Sequence, residues 1–600
     1  MAKKKNIPVK YVNRDFDSIK EALVGIASRY YPDTFQDFNE ASFGAMMLDT
    51  VAYVGDVMSF YLDYQANESF LSTAVEYDNI IKHGNQVGYR FEQTPASFGT
   101  VTLFLLVPAN DAGLGPDSRY LPILRKDSTF ESQDGALFSL IEPVNFADSS
   151  NEVVVAEVDS TTGLPTQYAV KAEGRVMSGI LGTEDITLSA FQKFLRVDLS
   201  NGENVTEIVS VYDSEGHRYY EVDNLSQNII YKEVLNQGTG QEQVKSILKP
   251  FVVPRRFVTR QDLGSTFLQF GYGSEDSITQ HVVVEPSSVV LKTHGKDHTS
   301  DTGFDPSKLI ETDKFGIAPA NTTLTIYYRY NTSDSLNVFV NQLTNVRSMR
   351  FVFPDELNIN SVTRASVINS MECTNNDPIV GDISYPGPVE LKQRIQATHS
   401  SQNRAVTRED YKSICYSMPA KFGKIKRVNV VQDSDSFKRN INIYILSEGP
   451  NGLFTDANNT LKNNLKTWIN KNRMINDTVD ILDAKVVNLG IKYLVQSDSF
   501  ANSSDLMSLI NVKLTKYLNT NKQDIGEPFS ISSIFNVINS VTGVEDVVKV
   551  KVSQKTGAAY SDIMFDLGSA TSADGRIIYA PDNVVFEVAL TDIDIEGTVR

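Results

Sequence analysis

The chain has 600 residues, 41% hydrophobic and 22% charged, which is the composition of a folded globular protein with room for about three or four domains. Its net charge of −18 (56 Lys and Arg against 74 Asp and Glu) excludes nucleic acid as the main partner, because phosphate binding needs a basic face. Cys373 and Cys415 are too few for a disulfide scaffold and read as reduced thiols of a chain that folds in a reducing cytoplasm.

In chain order, Lys3, Lys4 and Lys5 precede Asn6, Ile7 and Pro8 rather than a long apolar run. They read as a solvated tail, not a signal peptide. The first ~92 residues read as helices. Ser18 and Glu21 have capping-box spacing. Ile19, Ala22, Leu23, Ile26, Ala27 and Tyr30 follow at helical spacing, and Pro32 stops the helix. A second helix is expected over 42–64. Its apolar residues run nearly all round, a pattern that predicts burial on all sides. The stretch 46–62 contains Asp49 and Asp56 and is short for a membrane span, so no membrane partner is expected. Two readings stand: an ordinary core helix, or a helix covered by a partner chain. The second makes Met46, Met47, Val51, Val54, Val57, Met58 and Tyr61 a candidate interface with a partner bundle. A third helix is expected over 73–87, with Ala74, Tyr77, Ile80 and Ile81 on its apolar side and Gly88 ending it.

From residue 97 the period changes to two, with Val101, Leu103, Leu105 and Val107 alternating. Strands are expected at 152–158, 195–199, 282–285 and 323–330, with turns at Asp134-Gly135, Asn201-Gly202 and Glu215-Gly216. The segment 373–388, rich in Asn, Asp, Pro and Gly, reads as a boundary that few contacts should cross. After it, helices and strands alternate, and Leu461, Leu465 and Trp468 share one helix stripe whose tryptophan is expected in the core. The predicted class is multidomain α+β. It has an N-terminal helical bundle segment (1–95) and a β-rich middle domain (96–360) with an inserted subdomain over 160–250. A linker (361–400) leads to two mixed α/β sandwich-like domains (401–484 and 485–600). The part from residue 400 onward is expected to fold alone and self-associate.

The search for chemistry is negative. The histidines are scattered, and the His294/His298 pair near Asp301 lies in a Gly- and Lys-containing stretch that reads as a loop rather than a zinc-binding helix face. Gly238-Thr-Gly240 and Gly271-Tyr-Gly273 are too short for a phosphate cradle. The carboxylate pairs Asp433/Asp435 and Asp592/Asp594 carry no weight in so acidic a chain. The basic run Lys421, Lys424, Lys426, Arg427 reads as a rim facing an acidic neighbour or solvent. No catalytic residue, metal site or cofactor is expected.

The segment Arg404-Ala-Val-Thr-Arg-Glu-Asp-Tyr411 resembles a helix start of the baseplate-J-like family of contractile phage tails, with Thr407 as cap and Asp410 at the N3 position. Gly381 lies in a stretch (376–382) that resembles the family's Asn-Pro, Gly-Gly-Asp region, with Val380 where a glycine is usual. In the same order, 121–138, Gly271 and Gly273, 324–330 and the Gly543 stretch resemble further family motifs. Residues 11–18, 31–33 and 52–62 are similar to the larger wedge proteins of T-even-type myoviruses. The resemblance implies a structural virion protein of the tail baseplate, synthesised and assembled in the host bacterial cytoplasm. It would dimerise within a wedge, with dimer and ring contacts on residues 485–600, and clamp smaller baseplate wedge proteins through a helical bundle. It would also link wedges into a ring around the central hub and sheath-proximal proteins, and rearrange on sheath contraction. The alternative from the residues themselves is a carbohydrate-binding tail or adhesin module, suggested by the β-rich middle and abundant Tyr and Asn. It is the weaker reading, because most aromatics sit in core-type patterns.

Overall fold

A computed structural model describes residues 15–31, 42–92, 95–110, 115–235, 246–262, 264–274, 315–333, 336–356, 358–433, 440–498, 502–557 and 560–600. Lys3 to Lys5, residues 11–14 and 32–33, the Gly238/Gly240 pair, the strand expected at 282–285, His281, His294, His298, Asp301 and Asp435 lie outside the described residues. The chain is a multidomain α+β protein: helices first, then a β-rich region, then mixed α/β structure. It divides into two compact units, one of residues 1–89 with 386–396, the other of 90–385 with 397–600.

Unit 1 is helical. Helix α1 (Phe16–Tyr30) is capped by Asp15, whose carboxylate accepts from the Ser18 N–H. The expected Ser18–Glu21 capping box is therefore corrected: Asp15 is one turn earlier and takes the cap. Helix α2 (Phe43–Glu68) is capped by Ser42 and runs a turn past its expected end. Helix α3 (Tyr77–Gln86) starts four residues later than the expected 73, because Glu68 diverts the intervening chain. Its carboxylate accepts from Val75 N–H at 2.7 Å and Asn79 Nδ2 at 2.9 Å. The hydrogen bond from Asn79, then that from Val75, holds the carboxyl below the usual range. Ala74, Ile80, Ile81, Leu391 and Ile395 are fully or almost fully buried. The last two come from helix α5 (Pro388–Ser401), whose Ile395 lies against Gly84.

Unit 2 opens with a seven-stranded antiparallel layer built on β1 (Phe98–Pro108) and β2 (Pro165–Ser178), paired from Phe98↔Met177 to Pro108↔Gln167. Alternation buries Val101, Leu103, Leu105 and Val107 on the inner face. A second seven-stranded sheet spans Ile180–Thr187 to Ser265–Phe270 and takes in Thr323–Tyr330, with a separate core around Val211, Phe257 and Phe270. A two-stranded ribbon, Ile229–Leu235 with Ser246–Val252, leaves it. The second sheet therefore extends beyond the 160–250 expected for an insert.

Two α/β modules follow. In the first, β3 (Arg427–Gln432), β4 (Asn440–Glu448) and Thr478–Asp483 form a sheet under helices α6 (Arg408–Tyr416) and α7 (Asn459–Asn470). In the second, β5 (Lys485–Ser497) is central, flanked by β6 (Val544–Gln554) and β7 (Val584–Glu587), with α8 (Ser503–Thr520) and α9 (Ile531–Asn539) packed on it.

The stretch 361–400 is not an open linker. It contains helix α4 (Ser361–Asn369), the strand Glu372–Thr374 and α5. Phe98 and Val380 exchange backbone hydrogen bonds, Ile379 and Val338 do the same, and Val380 belongs to the core of the first module. Asn458, the cap of α7, donates to the Phe98 carbonyl. Many contacts thus cross the Asn/Asp/Pro/Gly segment, because its side-chain amides satisfy buried backbone rather than solvent. Asn375, for example, accepts from the Gln342 and Leu343 N–H groups and donates to Phe339 and Asp377 carbonyls. Trp468 is half-buried, not in the core. Leu461, Leu465 and Ile469 fill the inner stripe of α7, while the indole lies at its edge and donates to the Ile414 carbonyl at 2.9 Å.

Candidate interaction surface

Helix α2 has two faces that the sequence sets apart. Small residues form one. Ala45 and Ala52 are buried, Gly55 lies where a Cβ would meet Ile19 of α1 at 3.3 Å, and Lys20 of α1 pairs with Asp49 at 2.8 Å. A row of Ala and Gly lets α1 approach closely, which is why α1 packs there. Opposite lie Met47, Val51, Val54, Met58 and Tyr61, at successive spacings of four, three, four and three residues. That is the alternation of a coiled-coil seam. These five side chains are 50–64% exposed.

Met46, Tyr53 and Phe60 widen the apolar face, and Asp49, Asp56 and Asp63 recur every seven residues away from it. Among the expected interface residues, Met46, Met47, Val51, Val54, Met58 and Tyr61 are exposed and Val57 is half-buried. The expectation that α2 is buried on all sides is corrected for the chain by itself: α1 covers only the small-residue face. The heptad spacing is the signal that the count of apolar residues missed. Apolar surface on this scale on one helix is characteristic of an interface.

The other singled-out residues do not converge on one site. Thr407 and Asp410 form a full capping box on α6: Asp410 N–H donates to Thr407 Oγ1 at 3.2 Å and Thr407 N–H to Asp410 Oδ2 at 2.8 Å. Tyr411 is buried and donates to Asp477 at 2.8 Å, while Arg404 is exposed. Gly381 has φ +140°, and a Cβ there would lie 2.6 Å from the Ala96 carbonyl oxygen. At Gly271 a Cβ would run into the carbonyl oxygens of Phe315 and Gly316. Gly273 N–H donates to the Gly316 carbonyl at 2.9 Å, and Gly543 precedes β6. At Gly271, Gly273 and Gly381 two segments meet too closely for a larger residue, a structural role that needs no chemistry.

The basic run is not a rim. Lys426 and Arg427 are buried, with Lys426 paired to Glu448 at 2.9 Å and Arg427 to Asp524 at 2.7 Å, and Lys424 lies 3.6 Å from Glu92. Asp594 is buried and accepts from Tyr560 and from the Leu590 N–H. His83 faces the Glu68 carbonyl, His217 faces Asp213, and no metal-holding cluster occurs among the described residues. A groove of about 380 Å³ beside α7 contains Asp433, Asn440, Lys462 and Asp480. There Asn440 bridges Asp433 and Asp480, and Lys462 pairs with Asp483. No described helix is long and apolar enough to cross a membrane.

No curated protein matches the chain. Among solved structures it is similar to the cryo-EM structure of the anti-feeding prophage (AFP) baseplate, with 9% identity over 95% of this chain and 90% of that one and a TM-score of 0.25. It is also similar to the type VI secretion system TssK-TssF-TssG baseplate subcomplex, with 8% identity, 72% and 96% coverage and a TM-score of 0.24. Residues 15–86 match the family model of the bacteriophage baseplate protein N-terminal domain. That match spans α1, α2 and α3, so the segment bearing the exposed seam is the segment similar to a baseplate N-terminal domain.

Proposed function

We propose that the chain is a structural, non-enzymatic subunit of a phage tail baseplate, and within it a wedge component. The observation that carries this is the exposed seam of α2 inside the segment that matches a baseplate N-terminal domain. The seam fits a helical bundle with smaller wedge proteins. Burying five half-exposed side chains of this kind contributes on the order of 5 kcal/mol, enough to favour assembly over an isolated chain. Dimerisation within a wedge, contacts linking wedges into a ring around the hub, and rearrangement on sheath contraction rest on the motif resemblance at 121–138, 271–273, 376–382, 404–411 and 541–547.

The test is location. Particles from infected cells carrying a peptide tag on this chain should bind an anti-tag antibody at the baseplate end of the tail. Label confined to capsid or fibres, or absent from purified particles, contradicts the proposal.

A further inference from the structure

The two α/β modules of unit 2 meet across a seam that is largely charged. The chain passes between them once, at Ala484, between the strand Thr478–Asp483 and β5. A small apolar cluster of Leu446, Phe454, Ala484, Ile525 and Val585 surrounds that crossing. Tyr444 and Val486 pack against that cluster, and ion pairs and hydrogen bonds cross the rest of the seam. Glu448, at the end of β4 and almost fully buried, pairs with Lys522 at 3.1 Å and with Lys426 at 2.9 Å, and accepts from the Ser384 N–H at 2.7 Å. Arg427 reaches the carbonyls of Lys522 and Gln523 and the Asp524 carboxylate. Asn429 donates to the Asp582 carbonyl at 2.7 Å, and Glu587 of β7 accepts from the Phe454 N–H at 3.0 Å.

Each module keeps its own apolar core, one around Leu461 and Ile443 and the other around Ile491 and Ile534. Separating them would not expose either core. A buried ion pair costs desolvation that its attraction only partly repays, and opening returns its charges to water. The geometry is that of a joint held mainly by ion pairs and hydrogen bonds that water can replace, with one small apolar cluster at the crossing.

We propose that the Glu448 seam is a releasable latch, at which the C-terminal module 485–600 opens from the first module about Ala484 without either unfolding. The inference concerns unit 2 and stands whether or not α2 binds a baseplate partner.

The charges make the latch pH-dependent. Asp382, Glu448 and Glu587 face Lys426 and Lys522, with Arg427 and Asp524 paired at the edge. Burial, reinforced by the charge of Glu448, pushes Asp382 and Glu587 each up to about 7. Glu448 stays below the usual carboxylate range: burial opposes its charge, but Lys426, the Ser384 N–H and Lys522 outweigh it. Burial lowers Lys426 despite Glu448. Glu587, which accepts from Phe454 across the seam, holds its proton more tightly in the closed form. Its contribution to closure is therefore complete below the ordinary carboxylate range and is lost as pH rises through about 7. Glu448 has the opposite sign, but titrates below this window.

Amide hydrogen exchange on the full chain tests this. The Phe454 amide, bonded across the seam to Glu587, reports the latch, and Ile443 and Ile491 report the two cores. After correction for intrinsic rates, the Phe454 amide should exchange at least about tenfold faster than the core amides at pH 8, with the ratio shrinking toward pH 5. Glu587→Gln should flatten that pH dependence. A Phe454 amide that exchanges only in step with the cores at both pH values overturns the latch. So does a pH dependence that persists unchanged in Glu587→Gln.

Discussion

Asn458 joins the cap of α7 to the edge of β1, and its two side-chain atoms have opposite duties. Its Oδ1 accepts from the Leu461 N–H at 2.9 Å, while Nδ2 donates to the Phe98 carbonyl at 2.5 Å and the Pro378 carbonyl at 3.2 Å. Asn458→Ala removes the cap, at about 1 kcal/mol, and the donor, at about 1 kcal/mol more. The Phe98 carbonyl still accepts from Val380, which limits the loss. Asn458→Asp keeps the cap, since Asp caps helices as well as Asn does. It replaces the donor with a buried carboxylate oxygen facing two carbonyls, which costs about 3 kcal/mol or more. The expected order of stability is wild type, then Asn458→Ala, then Asn458→Asp. Urea unfolding followed by fluorescence of Trp468, the sole tryptophan, reads this module directly. A pure cap would rank Asp level with Asn. An Asn458→Asp midpoint equal to wild type would therefore refute the placement of the amide against β1.

Trp468→Ala should cost about 2–3 kcal/mol, less than a fully buried tryptophan, and Trp468→Phe about 1 kcal/mol from the lost bond to Ile414, both by urea titration. Gly271→Ala should sharply reduce soluble yield, because the new methyl meets two carbonyl oxygens, whereas Gly387→Ala, where a Cβ meets nothing within 4 Å, should leave yield within a factor of about two. Burial pushes the Cys373 thiol up to about 11 and the Cys415 thiol up to about 12. Both should resist a thiol reagent at pH 8 in the native chain and react in denaturant, and reaction of the native chain within minutes would contradict their burial.

The regular elements were legible wherever one face alone is buried. Strand 323–330 and helix 408–416 follow directly from period and capping chemistry, whereas strand 152–158 was legible although it is exposed along its whole length. Helix α4 was missed because Ser361, Thr363, Arg364 and Ser366 leave it little apolar periodicity, and α5 because the turn-rich stretch before Pro388 masked it. The boundary at 373–388 was misread for a physical reason. Asn and Asp signal turns in sequence, but here their amides stitch buried backbone together, a use that composition does not reveal. The charged seam was equally hidden: Lys426 and Arg427 look like a surface run until Glu448 and Asp524 arrive from distant parts of the chain. On α2 the apolar residues were readable and the uncovered side was not, since only the fold shows that α1 takes the Ala and Gly face.

The central claim is that the α2 seam is covered by a baseplate partner, and Val54→Asp tests it most directly. Val54 is 50% exposed in the isolated chain, so the substitution should change its stability by less than about 0.5 kcal/mol. In an assembled bundle the same carboxylate would be desolvated without a partner, at several kcal/mol. The measurement is the amount of Val54→Asp chain entering baseplates when it is supplied in place of wild type, with its thermal unfolding recorded in parallel. A covered seam leaves Val54→Asp normally folded and excluded from particles. Wild-type incorporation of a normally folded Val54→Asp chain would contradict it.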